Sequence, residues 1–531
     1  MALAQTPAVS STRFTLRLNP GAWIAVATAV LAVSMLAAIA SPILHHVPAA
    51  PEDDAEYYRV IAANIARSGV STFDGQTLTN GYHPLWAWIL ALQDRLVGPS
   101  FLVTRLIETV AVCGGLALIL LRSPVRTAFG IVISLALYGR LVAGLALTGM
   151  EVSLLFGIAG LLIWMLAPDR PERPRRAILI GVAAAAAVLS RIDAAVFVLP
   201  LVAFAPLKRT TRLIALAAAA AVGAAYVAYN LAVFGSAVPL SSTVKSLGGL
   251  QLNHRLIDQL ADDWRTAHLQ GRYVQTALIL ALSPVLLALS RRDTLGRALA
   301  AATVVGGAAF AAKLLFGSSW RVWPWYNFPV FFGLVTAIFV IGPQAEGWAT
   351  RQSVRIPRWV GATAASLVLA VLLAKAGLVV KRAPPNPPSR FDEVNVQAID
   401  RFASTLRGQR VAMGDRAGVF AARYPGGVTQ MEGLVNDRAW RNALKTRAPL
   451  KPLLCARGVK FVVGYARDLG AYDHVAVPAI RERLSQFPSP AVTVARVDEV
   501  GHVQDRAVFD MRGVDDEDDV LYLWRLTGCP R

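Results

Sequence analysis

Long apolar runs separated by short charged loops dominate residues 1–380. The first, Ala22–Ala40, follows Arg13 and Arg17 and approaches the ~20 residues that cross a hydrocarbon core. Its positive start and Ala38-Ile39-Ala40 end also describe a secretory signal peptide, but its length favours an uncleaved first helix. Ten further runs lie at 101–121, 127–147, 151–167, 177–190, 193–207, 213–234, 273–290, 298–317, 328–342 and 359–380. Leu85–Val97 is too short to span and carries Gln93, Asp94 and Arg95. It reads as an interfacial helix with Trp86 and Trp88 at headgroup level.

Eleven spans place the N-terminus in the cytoplasm and the C-terminus outside. The basic loops Pro168–Arg176, Lys208–Arg212 and Arg291–Arg297 then fall inside, as the positive-inside rule requires. On the same count Ser190-Arg191-Ile192-Asp193 is a shallow outer hairpin, and Gly235–Arg272 and Gly317–Pro329 are outer loops. From Lys381 the pattern changes. Ala383–Ser389 (APPNPPS) is a stiff proline linker. Phe391–Leu406 has helical spacing, while Arg410–Met413, Lys460–Gly464, Ala491–Val497, Ala507–Met511 and Val520–Leu526 read as short strands. The expected fold is a polytopic α-helical membrane protein with a C-terminal extracytoplasmic α/β domain. Its parts are a cytoplasmic N-terminus (1–20), a transmembrane domain (21–380) with first outer loop 42–100, the linker (381–390) and the α/β domain (391–531).

With 55% hydrophobic and 16% charged residues among 531, the balance is a membrane protein's rather than a soluble enzyme's. A net charge of +19 would suit nucleic acid, but the cations gather in loops between apolar runs and no aromatic-plus-basic RNA-binding motif occurs. The three cysteines have no metal spacing. Cys113 sits in an apolar run; Cys455 and Cys529 share the C-terminal domain, where an oxidising exterior would let them pair. Asp515–Asp519 (DDEDD) reads as a solvated turn, with a calcium site as the alternative.

Candidate chemistry concentrates in Pro51–Trp86, because ionisable residues at the lip of a membrane domain are costly to hold there. Asp53 and Asp54 fit a general base beside a low-dielectric pocket. They equally fit the acidic first turn of a helix over Ala55–Arg67. His83 follows the turn Thr79-Asn80-Gly81-Tyr82 and is either a substrate contact or a packed cap; Tyr57 and Tyr58 read as membrane-interface anchors. A phosphate group would need Lys245, Arg321, Arg191 or Lys313, though each alone also fits interfacial snorkelling. Glu151 stands at a helix start, where capping is the simpler role. Neither a GxxxxGK[ST] loop nor HExxH occurs, so ATP-driven transport and zinc hydrolysis have no motif behind them.

DDAEYYRVIAANIARSG…TFDG…TNGYHPLW, then LTGMEVSLL, LSRIDA, FGSAVPLSSTVKS and VAMGDRAGVFAARYPGGVTQMEGLVND, together resemble the GT-C superfamily of integral-membrane glycosyltransferases. Within it the chain is similar to bacterial polyprenyl-phosphate-sugar-dependent enzymes related to the mycobacterial arabinofuranosyltransferases. The resemblance implies a multi-pass protein of the bacterial plasma membrane. It would move a sugar from a polyprenyl phosphate to a glycan, lipid or protein of the cell envelope, on the outer face. Asp53 or Asp54 would deprotonate the acceptor hydroxyl, and one displacement would invert the anomeric carbon. Tyr57, Tyr58, Asn80, His83, Glu151, Arg191, Asp193, Lys245 and Arg321 become substrate-binding candidates, with Lys245 and Arg321 on the phosphate. The superfamily includes members with and without a divalent cation; no ligand set here decides between them, and no other cofactor is implied. Glu56 departs from the simple acidic pair by adding a third carboxylate.

Two other classes stay open. A lipid-linked sugar transporter or flippase would place ionisable residues deep in several helices and repeat one half in the other. A non-catalytic envelope-assembly protein would tolerate loss of the aspartates.

Overall fold

A computed structural model describes residues 19–45, 52–169, 171–247, 249–291, 294–318, 320, 322–351, 358–382, 390–414, 416–446, 451–465, 480–481, 493–495, 503–508, 520–526 and 529. The chain opens with α1 (Pro20–Leu44), capped by the Asn19 side chain, which accepts from the Ala22 N–H at 2.8 Å. Then come α2 (Asp53–Ser68), α3 (Pro84–Val97) and α4 (Phe101–Arg122). Next, α5 (Ala128–Tyr138) passes through a π-helical turn, Gly139–Ala143, into α6 (Gly144–Ala146). The middle of the bundle is α7 (Val152–Met165), α8 (Pro174–Ser190), a 3-10 turn at Ile192–Ala194, α9 (Ala195–Phe204) and α10 (Arg209–Phe234). Two helices stand outside the apolar runs, α11 (Leu240–Lys245) and α12 (His254–Ala267). The bundle closes with α13 (Arg272–Leu289), α14 (Leu295–Phe316), a 3-10 turn at Pro324–Asn327, α15 (Pro329–Arg351) and α16 (Arg358–Lys381).

All eleven apolar runs are helical. Among the described residues eight helical stretches are long and apolar enough to cross a membrane; Val152–Met165 and Ile192–Phe204 are shorter apolar helices, and α8 also falls below that length. The protein is a polytopic α-helical membrane protein. The short helices sit inside the bundle, α7 on α4, α8 on α10 and α9 on α14. The α4–α7 crossing brings backbones into contact: a Cβ on Gly160 would lie 2.6 Å from the Cα of Gly115. Small residues are what permit such an approach between helices whose outer faces meet lipid.

Beyond α16 lie α17 (Arg390–Leu406), β1 (Arg410–Met413), α18 (Ala417–Arg423), β2 (Val428–Gln430), α19 (Arg438–Thr446), α20 (Lys451–Ala456) and β3 (Val459–Tyr465). The last strands are β4 (Ile480–Arg481), β5 (Thr493–Ala495), β6 (Val503–Val508) and β7 (Val520–Arg525). The five-stranded sheet runs β2-β1-β3-β7-β6, with β1 parallel to β2 and β3, and β7 antiparallel to β3 and β6. Val411, Ala412 and Met413 are all buried, as expected of a strand covered on both faces. The expected α/β domain is therefore present, with β2 and β4 as additions. The proline linker at 383–389, Arg321 and Asp515–Asp519 lie outside the described residues.

Two expectations for the first outer segment are corrected. Trp86 is not at headgroup level: it is fully buried and its indole N–H donates to the Gly149 carbonyl at 3.0 Å. Only Trp88, 40% exposed, matches that reading, on the side of α3 that also presents Leu92 and Leu96. Tyr57 and Tyr58 are not interface anchors either; both are buried, Tyr57 edge-on to Phe73 with ring centroids 5.3 Å apart. A helix sandwiched between the bundle and the α/β domain has no free face for a headgroup contact.

Cys455 and Cys529 form a disulfide that ties α20 to the segment after β7 across 74 residues of chain. Replacing both with Ser is expected to lower the stability of the α/β domain by about 2–4 kcal/mol. Urea unfolding of the intact protein in detergent, with and without reductant, measures it; identical midpoints would show that the bridge contributes nothing.

Candidate functional site

The site is built around α2. Asp53, Asp54 and Glu56 occupy its first turn, where the helix dipole favours anions. Apolar residues at 55, 57, 58, 61 and 62 form the buried stripe, and Gly69, with φ of 73°, ends the helix in the left-handed region. The three carboxylates then separate. Glu56, almost fully buried, pairs with Arg59 at 3.1 Å and with Arg423 of α18 at 3.7 Å. Asp53 Oδ1 accepts from the Val419 N–H at 2.8 Å, so it caps α18 from another part of the chain. A Cβ at Gly418 would fall 2.4 Å from the Asp53 carbonyl oxygen, so only glycine allows this seat. Asp54 lines the neighbouring cleft and acts electrostatically on Lys245.

That cleft, about 510 Å³ and open to solvent, lies between α2, α11, the tryptophan-rich segment before α15 and the α/β domain. Its walls carry Asp53, Asp54, Lys245, Trp320, Trp323, Trp325, Arg416 and Glu432. Lys245 donates to the Tyr326 hydroxyl at 3.0 Å and sits 5.3 Å over the Trp320 ring. Burial alone would push its ammonium down, but the Tyr326 hydroxyl and the Asp54 carboxylate more than offset this and raise it above the usual lysine value. The amine is therefore a fixed positive charge. The Trp320–Val322 segment is held by α12: Asn253 donates to the Trp320 carbonyl at 3.0 Å, and the Gln259 side-chain amide bonds both the N–H and the C=O of Val322.

Beneath the cleft lies a buried charge network. Glu151 makes no cap for α7; its carboxylate pairs with Arg191, and both side chains are essentially inaccessible. Arg191 also approaches Asp193 at 3.7 Å, and Asp193 pairs with Lys313. The Arg191 guanidinium stacks 4.9 Å from the Tyr326 ring, so it supports from below the residue that holds Lys245. His83 closes the network. Its Nδ1 accepts from the Ile192 N–H at 3.2 Å, which leaves the proton on Nε2, 3.7 Å from Glu151. Burial, reinforced by Arg191 and opposed by Glu151, pushes the imidazole down to about 4, so it is neutral at pH 7. The Tyr58 hydroxyl accepts from the His83 N–H at 3.2 Å and feels the Glu151 charge.

Of the residues expected from sequence, Asp53, Asp54, Tyr57 and Lys245 converge on the cleft. Tyr58, His83, Glu151, Arg191 and Asp193 form the floor network instead. Asn80 is buried and bridges to α10 and α11, donating to Asn230 at 3.0 Å and accepting from the Leu240 N–H at 3.1 Å. Arg321 falls outside the described residues. Reasoning from sequence did not single out Tyr326, Glu432 and Arg416, although Tyr326 lies in the WRVWPWYNFP run and Arg416 and Glu432 in the VAMGDRAGVFAARYPGGVTQMEGLVND segment. Among the described residues no three His, Cys, Asp or Glu side chains are placed to hold a metal ion. Asp53 and Glu56 are already engaged by an N–H and two arginines, so the acidic cluster does not fit a cation and no step is assigned to one.

No family model matches the chain, and no curated protein is similar to it. Among solved structures, ArnT from Cupriavidus metallidurans bound to undecaprenyl phosphate aligns over 94% of this chain and 97% of its own, at 13% identity and a TM-score of 0.48. Its apo form aligns over 86% and 95%, at 14% identity and the same TM-score of 0.48. The arabinofuranosyltransferase AftD from Mycobacteria aligns over 95% of this chain at 14% identity and a TM-score of 0.46; the chain spans 41% of that structure.

His83 sets a pH dependence. Its folded value, about 4, lies below the ordinary 6.5, so between these pH values the unfolded chain binds a proton that the folded chain does not. The stability from the neutral ring is complete above pH ~6.5 and is lost as pH falls toward and through 4, about 3 kcal/mol in all. Thermal midpoints should fall over that window, and His83→Gln should flatten the decline; an unchanged profile would remove His83 as its cause. Glu151→Gln should cost about 3–5 kcal/mol by stranding the Arg191 charge, whereas Glu151→Leu with Arg191→Met should cost less than either single change. Additive losses in that cycle would mean that the two side chains do not interact.

Proposed function

We propose that the chain is an inverting glycosyltransferase of the GT-C type, working on the outer face of a bacterial plasma membrane. Its donor is a sugar on a polyprenyl phosphate and its acceptor a hydroxyl of a cell-envelope glycan, lipid or protein. The observation that carries this reading is the pairing, in one cleft, of a carboxylate at Asp54 with the fixed cation of Lys245 between tryptophan walls. A lipid-linked donor keeps its tail in hydrocarbon while its head meets a water-soluble acceptor, so the reacting groups belong at the end of the bundle. A cleft at the first turn of α2 and the tryptophan segment before α15 supports this reading.

The steps follow from the charges. Asp54 takes the proton of the acceptor hydroxyl as the oxygen forms a bond to the anomeric carbon. The bond from that carbon to the phosphate oxygen breaks, and its electron pair leaves with the polyprenyl phosphate. Lys245 stabilises the negative charge that gathers there, which a preorganised cation does without reorganisation. One displacement from the face opposite the leaving group inverts the centre. Asp54 is the base in this reading because it lines the cleft and acts electrostatically on Lys245, while Asp53 caps α18 through the Val419 N–H. The indole faces of Trp320, Trp323 and Trp325 offer apolar walls to a sugar ring.

Transfer of labelled sugar from a polyprenyl phosphate by the purified protein tests this. Asp54→Asn should lower the rate about 10²–10⁴-fold and Lys245→Ala about 10²-fold or more, with normal insertion. Asp53→Asn should lose less rate and loosen the α/β domain toward protease. Full activity in Asp54→Asn would reject the base. Labelling of a Thr446→Cys variant by an impermeant maleimide only after cell lysis would reject the orientation.

A further inference from the structure

A second cationic cavity lies on the other side of the Pro324–Asn327 turn. It occupies about 390 Å³ between the π-helical turn after α5, the first turn of α13 and the start of α15. Two arginines from different helices line it, Arg140 and Arg272, with Gln275, Thr276 and Asn327. Among the described residues neither guanidinium has a hydrogen bond or an ion pair. The amides around them are committed: Gln275 donates to the Leu269 carbonyl at 2.9 Å, Asn327 donates to the Pro324 carbonyl at 3.1 Å, and the Thr276 hydroxyl lies 2.8 Å from Asn327 Oδ1. Among the described residues no carboxylate lines the cavity. Among the described residues, two like charges line one cavity without an answering anion.

Both side chains are exposed, and one of them sits within a span. Arg140 lies inside a spanning stretch, Ala128–Ala146, and Arg272 opens another, Arg272–Leu289. A cation within a span is costly and marks a partner or a pathway. The π-helical turn at Gly139–Ala143 contains Arg140 itself, and such turns recur where a helix is bent to a function. Arginine's planar fork matches phosphate oxygens two at a time. Two forks suit a group that carries two negative charges and three terminal oxygens.

We infer that Arg140 and Arg272 form a binding site, separate from the cleft, for the phosphate monoester head of a membrane lipid. Its lining comes from three candidate spans, which fits a ligand whose tail stays in the bilayer. A polyprenyl phosphate is such a monoester and is what the proposed transfer would release; only that identification rests on the transfer reading. The site would hold the carrier lipid beside the cleft, on arrival or after it has left.

Binding measured without turnover tests this on the full-length protein in detergent. In a Lys245→Ala background, which weakens the cleft, a polyprenyl phosphate should still bind. Adding Arg140→Gln and Arg272→Gln should weaken it about 10-fold or more, close to the tenfold change that a lost charged contact produces. Arg140→Lys with Arg272→Lys should restore part of the loss, and Arg272→Gln alone gives a reading if the double variant fails to fold. Phosphatidylglycerol, a diester, and inorganic phosphate should bind at least 10-fold more weakly than the monoester lipid. Unchanged affinity in the glutamine variants would overturn the site. Equal binding of phosphatidylglycerol would reduce it to ordinary headgroup contact, and equal binding of inorganic phosphate would make it a soluble-anion site; either overturns the inference. Because no sugar is transferred in the assay, failure of the Asp54 mechanism and failure of this site are read separately.

Discussion

The hydrogen bond from Val419 to Asp53 is the contact on which the rest of the site depends. It fixes the first turn of α2 against α18, and through it the bundle against the α/β domain. Gly418 on one side and Gly81 on the other bring the two backbones together; a Cβ at Gly81 would lie 1.8 Å from the Leu434 carbonyl oxygen. Arg410 adds a third tie, 3.3 Å from the Asp74 carboxylate, which itself organises the loop after α2 by accepting from the Gln76 and Thr77 N–H groups. The cleft is a consequence. Its walls come from both parts of the chain, so it exists only while they are docked.

Under this contact the protein keeps an ion pair that a hydrophobic pair could replace without loss of stability. Glu151 and Arg191 are almost wholly buried, so desolvation consumes much of their attraction. What the pair supplies is position. Arg191 faces Tyr326 and Phe328 with its flat guanidinium and touches Asp193, which is tied in turn to Lys313 of α14. Four helical elements thereby converge on the ring that holds Lys245. The neutral His83 belongs to the same logic, since a second buried cation beside Arg191 would be repelled.

Much of this was legible in the chain. Hydrophobic period located all eleven helical runs and the change at Lys381, because helices in lipid cannot hide their composition. Strands β1, β3 and β7 were found for the same reason, while β2, three residues long, is too short for alternation to register. The site was legible in part. Asp53, Asp54 and Lys245 stood out as charges in an apolar protein. Their division of labour did not, because it depends on Val419 and Arg423, more than 350 residues away in sequence from the acids they meet. Trp86 misled for a related reason: an aromatic beside an apolar helix looks the same whether it meets lipid or, as here, the backbone of Gly149.

The Pro324–Asn327 turn shows how the two cationic sites differ. Trp325 lines the cleft and Asn327 the arginine cavity, so one short turn forms part of both walls. In the cleft the cation shares its space with carboxylates, which the proposed transfer would use for proton removal beside charge stabilisation. A phosphate left there after the proposed transfer would face Asp54. Among the described residues no carboxylate lines the arginine cavity, so a phosphate monoester there would meet two cations and no competing charge. On the proposed transfer reading, a phosphate monoester product would leave a cleft that holds carboxylates for a cavity lined by two cations, with the Pro324–Asn327 turn between them.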